Sequence, residues 1–234
     1  GVLAAGLTSH LPVSGGGQAK YFTVDGRTLP TKLEDVPIVS LRQESANSFS
    51  AMGIKILKGR AFNERDNQQS MRVAIINESL AHRFFPNEDP IGKQFSLEWP
   101  ENLAPPDSLP KSGRFSRWTI VGVDANVQYR NLNDPQELVV HVPYLQRDQQ
   151  TMGWAPSFLI VRAKSDPLTL AAAVRDQVWS VSRNQPVSNI LTMQQVVQGS
   201  FKQSSFAVTI LVIFAALALL LAALGIYGVM SYLV

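Results

Sequence analysis

The sequence predicts an α+β domain that runs at its C-terminal end into one long apolar helix. Three observations carry this. Short runs of β-branched and apolar residues alternate with helical patterns from residue 2 to 163. A strand, a capped helix and a second apolar run follow one another between Phe158 and Leu191. From Phe206 to Val234 there is no Asp, Glu, Lys, Arg or His. At 1.5 Å rise per residue, about 20 apolar residues cross a hydrocarbon core of about 30 Å, so this last run reads as a transmembrane helix.

Taken in order, Val2 to Thr8 is apolar and strand-like, and the Pro12 to Gly17 stretch, Pro-Val-Ser-Gly-Gly-Gly, is a flexible loop. Those glycines are followed by neither Gly-Lys-Ser/Thr nor a helix start, so they do not form a phosphate-binding loop. Ile38 to Leu41 is a strand. Ser45 to Met52 is a short helix with Phe49 and Met52 on one face, ended by Gly53. Gly59 to Phe62 leads into a polar loop. Val73 to Ile76 is a strand, after which Asn77 caps a helix that turns Leu80, Ala81, Phe84 and Phe85 toward a core and stops at Pro86. Asn87 to Gly92 is a turn and Lys93 to Leu97 a strand. Trp99 to Arg117, rich in Pro, Ser and Lys without apolar period, is an excursion between strands. Trp118 to Val123 and Leu138 to Pro143 are strands.

A different unit begins at Phe158, with a break near Gly153. A strand from Phe158 to Val161 precedes Asp166 as N-cap and Pro167 at the first helical position, and the helix continues through Val174, Val178 and Val181. Val187 to Leu191 is expected as the closing strand of a β-α-β unit. Thr192 with Gln195 forms a capping box, so a further helix starts there and leads, past Lys202 at the wet boundary, into the apolar run. Within that run Ala215, Ala218, Ala222 and Gly225 fall at spacings of three, four and three, one face on which another helix could approach closely.

Composition excludes more than it assigns. The 234 residues include no cysteine, so disulfides and thiolate chemistry are out. The formal net charge of +3, spread along the chain, does not point to nucleic acid. His10, His82 and His141 stand far apart and in no metal-ligating spacing, no Gly-x-Ser-x-Gly is present, and the carboxylates are scattered. Nothing in the residues indicates an enzyme, a cofactor or a metal site. The chain opens at Gly1 in a strand-like run without a leader, which reads as a truncation. Two readings from other classes stay open on these residues: a single-pass anchored sensor or binding domain, which predicts a signalling module after the helix, and an anchored hydrolase, which predicts clustered acids or histidines.

Several segments then combine. Ser45 to Phe62, ending Met-Gly-Ile-Lys-Ile-Leu-Lys-Gly-Arg-Ala-Phe, resembles the Y/F-F-x-x-M-G-I-x-x-x-x-G-R-x-F segment of the MacB-like periplasmic core domain found in ABC permeases. Val73 to Lys93, with Asn-Glu, Phe-Pro and Asp-Pro-Ile-Gly-Lys, and the strand Trp-Thr-Ile-Val-Gly-Val from Trp118 are similar to the segments that follow in that family. Phe214 to Tyr232 looks like the start of an FtsX-like permease domain of the large duplicated, acidobacterial type. The resemblance implies a porter-like β-α-β subdomain in two pieces, residues 1–15 and 154–200, an inserted strand-rich subdomain over 16–153, and a connector with the transmembrane helix over 201–234. It further implies a bacterial inner-membrane location with the folded part outside the cytoplasm. The partners implied are an ATP-binding subunit, separate or fused, a second permease half or copy, and the lipid bilayer. ATP would be hydrolysed on that subunit, since no Walker motif occurs here. Motion would pass through the connector at Thr192, Gln195 and Lys202, and the face of Ala215, Ala218, Ala222 and Gly225 would pack on a neighbouring helix.

Overall fold

The computed structural model describes residues 1–14, 17–97, 100, 102–103, 117–129, 136–147 and 157–233; side chains are not described at 200–210, 227–229 and 231–233. The chain divides into two units, Gly1–Ile190 and Leu191–Val234.

Among the described residues of the first unit, ten strands form one mixed sheet. They are β1 (Val2–Thr8), β2 (Gln18–Tyr21), β3 (Thr23–Val24), β4 (Ile38–Glu44), β5 (Ile56–Gly59), β6 (Val73–Asn77), β7 (Gln94–Ser96), β8 (Arg117–Asp124), β9 (Val139–Pro143) and β10 (Phe158–Ala163). The order across the sheet is β10-β1-β4-β9-β6-β8-β7-β3. β4 runs parallel to β9 and β6 parallel to β8, whereas β6 and β9 are antiparallel, so two parallel pairs meet head to tail at the centre. β4 divides one edge between two partners: β2 along Ile38 to Leu41, and β1 at Glu44. β8 does the same, taking β7 at Arg117 to Thr119 and β5 from Gly122 to Asp124.

Strand alternation sends the two halves of each central strand to opposite faces. One face buries Val39 and Leu41 of β4, Ala74 and Ile76 of β6, and Val140 and Val142 of β9 in the main core. Helix α2 (Glu78–Phe84) covers it with Leu80 and Ala81, next to Phe22, Phe95 and Trp118. Asn77 starts that helix as expected: its side-chain oxygen accepts from the Leu80 amide, which satisfies one of the orphan donors of the first turn. The opposite face carries a smaller cluster of Phe49, Phe62, Val73 and Ile75 under helix α1 (Ser48–Met52). Gly53 ends α1 at φ 74, a left-handed turn that glycine enters without strain.

The Phe158 unit differs from expectation in one respect. β10 and helix α3 (Ala171–Val181) form, and the Asp166 side chain accepts from the Leu168 amide at the start of a 3₁₀ turn, Pro167–Leu170, that leads into α3. Residues 187–191, however, form no strand. Asn189 takes a left-handed φ of 55, which breaks the extended backbone a strand needs. The helix face is also less buried than its valine spacing suggests, with Val181 almost fully exposed. β2, β3 and β5 are short strands that the sequence pattern did not reveal. The expected excursion from Trp99 and the break near Gly153 lie largely outside the described residues.

The second unit is helix α4, Met193–Leu233, 41 residues without interruption. Among the described residues no helix is long and apolar enough to cross a membrane.

Candidate functional site

The face of the sheet opposite the main core holds an ionic cluster built from residues far apart in sequence. β4 supplies Arg42 and Glu44, whose parity places them opposite Val39 and Leu41. β9 supplies His141, paired across the parallel ladder with Arg42. β8 ends in Asp124. Arg42, Glu44, Asp124 and His141 are all buried.

His141 lies between the two acids, with Nδ1 3.4 Å from Glu44 Oε1 and Nε2 3.5 Å from Asp124 Oδ2. These separations exceed the 2.7–2.9 Å of a charge-assisted hydrogen bond, so the attraction is chiefly ionic. The Phe49 ring meets the imidazole edge-on at 5.1 Å and Tyr129 stands 6.3 Å away. Burial by itself would favour neutral imidazole, but the Asp124 and Glu44 carboxylates outweigh it and push the His141 pKa up to about 9. His141 is therefore an imidazolium at neutral pH.

A second pair adjoins it. Arg42 donates to Glu137 Oε2 at 2.8 Å, and its guanidinium lies 3.6 Å from the centre of the Tyr129 ring. Ser40 donates to the other Glu137 oxygen at 2.6 Å. Burial, and then the Glu44 charge, push the Tyr129 phenol well above its ordinary range. His10, half-buried near the pair, is shifted the other way, by burial and then by the Arg42 charge.

The cluster is also where β1 attaches to the rest of the sheet. Thr8 donates its hydroxyl to Glu44 Oε1 at 2.9 Å, the Ser9 amide to the Gln43 carbonyl at 2.9 Å, and the Gln43 amide to the Ser9 hydroxyl at 2.9 Å. Glu44 thus holds β1 with one oxygen and faces His141 with the same oxygen. Chemically this is a clamp: an imidazolium and a guanidinium neutralise carboxylates from two strands, β4 and β8, and from the segment that carries Glu137. No cluster among the described residues is arranged to hold a metal ion.

The residues singled out from sequence lie elsewhere, all in the second unit. The capping box forms in both directions: Gln195 Oε1 accepts from the Thr192 amide at 2.8 Å, and the Gln195 amide donates to the Thr192 hydroxyl at 3.2 Å. Lys202 falls within α4, with its side chain outside the described set. Ala215, Ala218, Ala222 and Gly225 lie along one exposed strip of α4. None of these is near the clamp in sequence, and sequence reasoning missed the clamp. The available signals were a histidine set among Val139, Val140 and Val142, and charges at alternate positions of an apolar strand.

Among the described residues, the first unit is thus a two-faced mixed sheet with a covered charge clamp. The chain belongs to the MacB-like periplasmic core domain family, whose model matches residues 6–180. No curated protein matches it. Among solved structures it is similar to the periplasmic region of MacB from Actinobacillus actinomycetemcomitans, at 17% identity and a TM-score of 0.47, covering 75% of this chain and 66% of that one. It is also similar to the extracellular domain of the noncanonic ABC-type transporter YknZ from Gram-positive bacteria, at 14% identity and a TM-score of 0.45, covering 74% and 70%. The chain therefore spans just under two thirds of the MacB region's length.

Proposed function

We propose that this chain is the periplasmic core and membrane-helix segment of an ABC transporter permease, which couples cytoplasmic ATP hydrolysis to conformational change outside the membrane. The observation that carries the reading is the family match over residues 6–180, followed in the same chain by the uncharged run from Phe206 to Val234. Exposed Leu211, Phe214, Leu217, Leu221 and Leu224 on α4 support it, because apolar side chains of that number on one helix are stable only when covered by lipid or protein.

In this reading ATP is held by a separate or fused subunit and the chain itself carries no catalytic group or cofactor. Residues 1–15 with 154–200 form a porter-like subdomain, 16–153 an insertion into it, and 201–234 the connector and transmembrane helix. The unbroken α4, pinned at its start by Thr192 and Gln195, transmits motion past Lys202, and the strip from Ala215 to Gly225 packs on a second permease half. Export, efflux and lipoprotein release are all compatible with this mechanics.

These 234 residues hold no cysteine, so a single introduced one reports their side of the membrane once any cysteine elsewhere in the reading frame is replaced by serine. Glu64 is exposed in the folded unit, so Glu64→Cys, in the open reading frame that carries this chain, should react with a membrane-impermeant maleimide in intact spheroplasts. The protein should also stay in the membrane through alkaline carbonate. Labelling only after lysis, or release by carbonate, would overturn the assignment.

A further inference from the structure

Helix α1 is held from two sides. Its Phe49 ring points into the sheet, where it meets Phe62 at 5.8 Å and the His141 imidazole at 5.1 Å, both edge-on, beside Val73 and Ile75. Its C-terminal turn is closed partly by the chain itself: the Gly53 amide donates to the Phe49 and Ser50 carbonyls, and the Ile54 amide to the Phe49 carbonyl. The Ala51 carbonyl, another of the orphan acceptors of that turn, is satisfied from β10, where Arg162 Nε donates to it at 3.1 Å. The guanidinium lies so close over Gly53 that a Cβ there would collide with Nη2. Among the described residues no carboxylate pairs with Arg162, so the α1 carbonyl is its hydrogen-bond partner.

The place of this contact in the sheet gives it weight. β10 and β1 pair with each other at six positions, with Arg162 opposite Ala4, whereas β1 meets β4 only at Thr8 and Glu44. Two side chains carry this ribbon to the buried clamp. Thr8 reaches it directly, by donating to the Glu44 oxygen that faces His141. Arg162 reaches it through α1, whose Phe49 rests against the same imidazole. β10 is also the strand from which the chain runs on into α3 and then toward α4. A displacement that enters the first unit along its C-terminal segment therefore arrives at β10 before it arrives at the clamp.

We propose that Arg162 is a positioning residue that couples β10 to the clamp through α1: when β10 shifts, the guanidinium carries the C-terminal turn of α1 with it, and Phe49 moves on His141. Its use in a transport stroke rests on the permease reading, but the coupling itself is tested in the chain alone, so failure of one is told from failure of the other. Histidine-selective 15N NMR of the full chain in mild detergent reads it, with the three histidines assigned by substitution. Arg162→Met keeps the stem and removes the donor; it should shift the ring resonances of His141 and leave those of exposed His82 in place. Arg162→Lys, which still offers a donor to the Ala51 carbonyl, should restore most of the native position. Lys164→Met, at an exposed cation two residues on, should change nothing. In urea, Arg162→Met should raise the unfolding constant about tenfold, as loss of a charged hydrogen bond does, and by clearly less in a Phe49→Leu background. His141 resonances that ignore Arg162→Met, move equally with Lys164→Met, or are not restored by Arg162→Lys overturn the proposal. An unfolding effect of the same size with and without Phe49→Leu overturns it as well.

Discussion

Replacing His141 by glutamine keeps a polar side chain of similar reach and removes the charge that the two buried acids face. The folded pKa of His141 is about 9 against an ordinary 6.5. At about 1.4 kcal/mol per unit, that difference is about 3 kcal/mol of stability from the imidazolium. The group's pKa is raised on folding, so the contribution is complete below about 6.5 and is lost as pH climbs through about 9. Between those limits the unfolded chain has released the proton while the folded protein keeps it, and stability falls with pH. His141→Gln should therefore cost about 3 to 5 kcal/mol at pH 6, since it also leaves buried carboxylates without their cation. Near pH 9.5 the gap between native and variant protein should have narrowed by about 3 kcal/mol. Urea unfolding of the full chain in a mild detergent, followed by the fluorescence of buried Trp118, measures both proteins across the series. The difference between them isolates His141 from tyrosines and lysines that titrate in the same range. A difference that stays flat from pH 6 to 9.5 would show that His141 carries no charge in the fold.

Three further outcomes follow from the geometry. A Cβ at Gly6 would meet the backbone Cα and N of Ser48 at 2.6 Å, so Gly6→Ala should push α1 off β1 and lower the Tm by several degrees; an unchanged Tm would count against that close approach. Thr192→Ala removes one half of the reciprocal cap and should cost the start of α4 about 1 kcal/mol, read as faster amide exchange at Gln195; unaltered exchange would mean that the cap does not hold the helix end. On the permease reading proposed above, Ala218→Leu together with Ala222→Leu should impair assembly or transport of the full-length protein, measured by co-purification with an ATP-binding subunit, and full activity would remove the strip from the packing model.

Local signals were legible in the sequence wherever the structure is made locally. Asn77, Asp166 with Pro167, and Thr192 with Gln195 are caps whose partners lie within a few residues, and each bonds as its spacing implies. β4, β6, β8 and β9 show as runs rich in β-branched residues because their burial is nearly complete. What could not be read depends on pairing at long range. Arg42 and Glu44 look like solvent-facing positions of a strand until β9 brings His141 beside them and β8 brings Asp124. β2 and β5 are four residues each and exist because β4 and β8 offer them part of an edge. The 187–191 run has the composition of a strand, yet Asn189 adopts a left-handed turn there. Composition alone does not supply a neighbour to pair with.

The pairing of β1 with β10 sets the order in which the domain can be completed. Val2 lies opposite Ala163 and Thr8 opposite Phe158, so β1 waits for β10, which is made much later, before its outer edge is closed. Until then a run of Val, Leu and Ala with open amides and carbonyls is available to any other extended chain. Such a contact is slow to form because the whole intervening loop must be closed first. During synthesis, the vulnerable period of this chain is therefore the interval between the emergence of residue 8 and that of residue 158, and a chaperone that guards strand edges would have its greatest effect then.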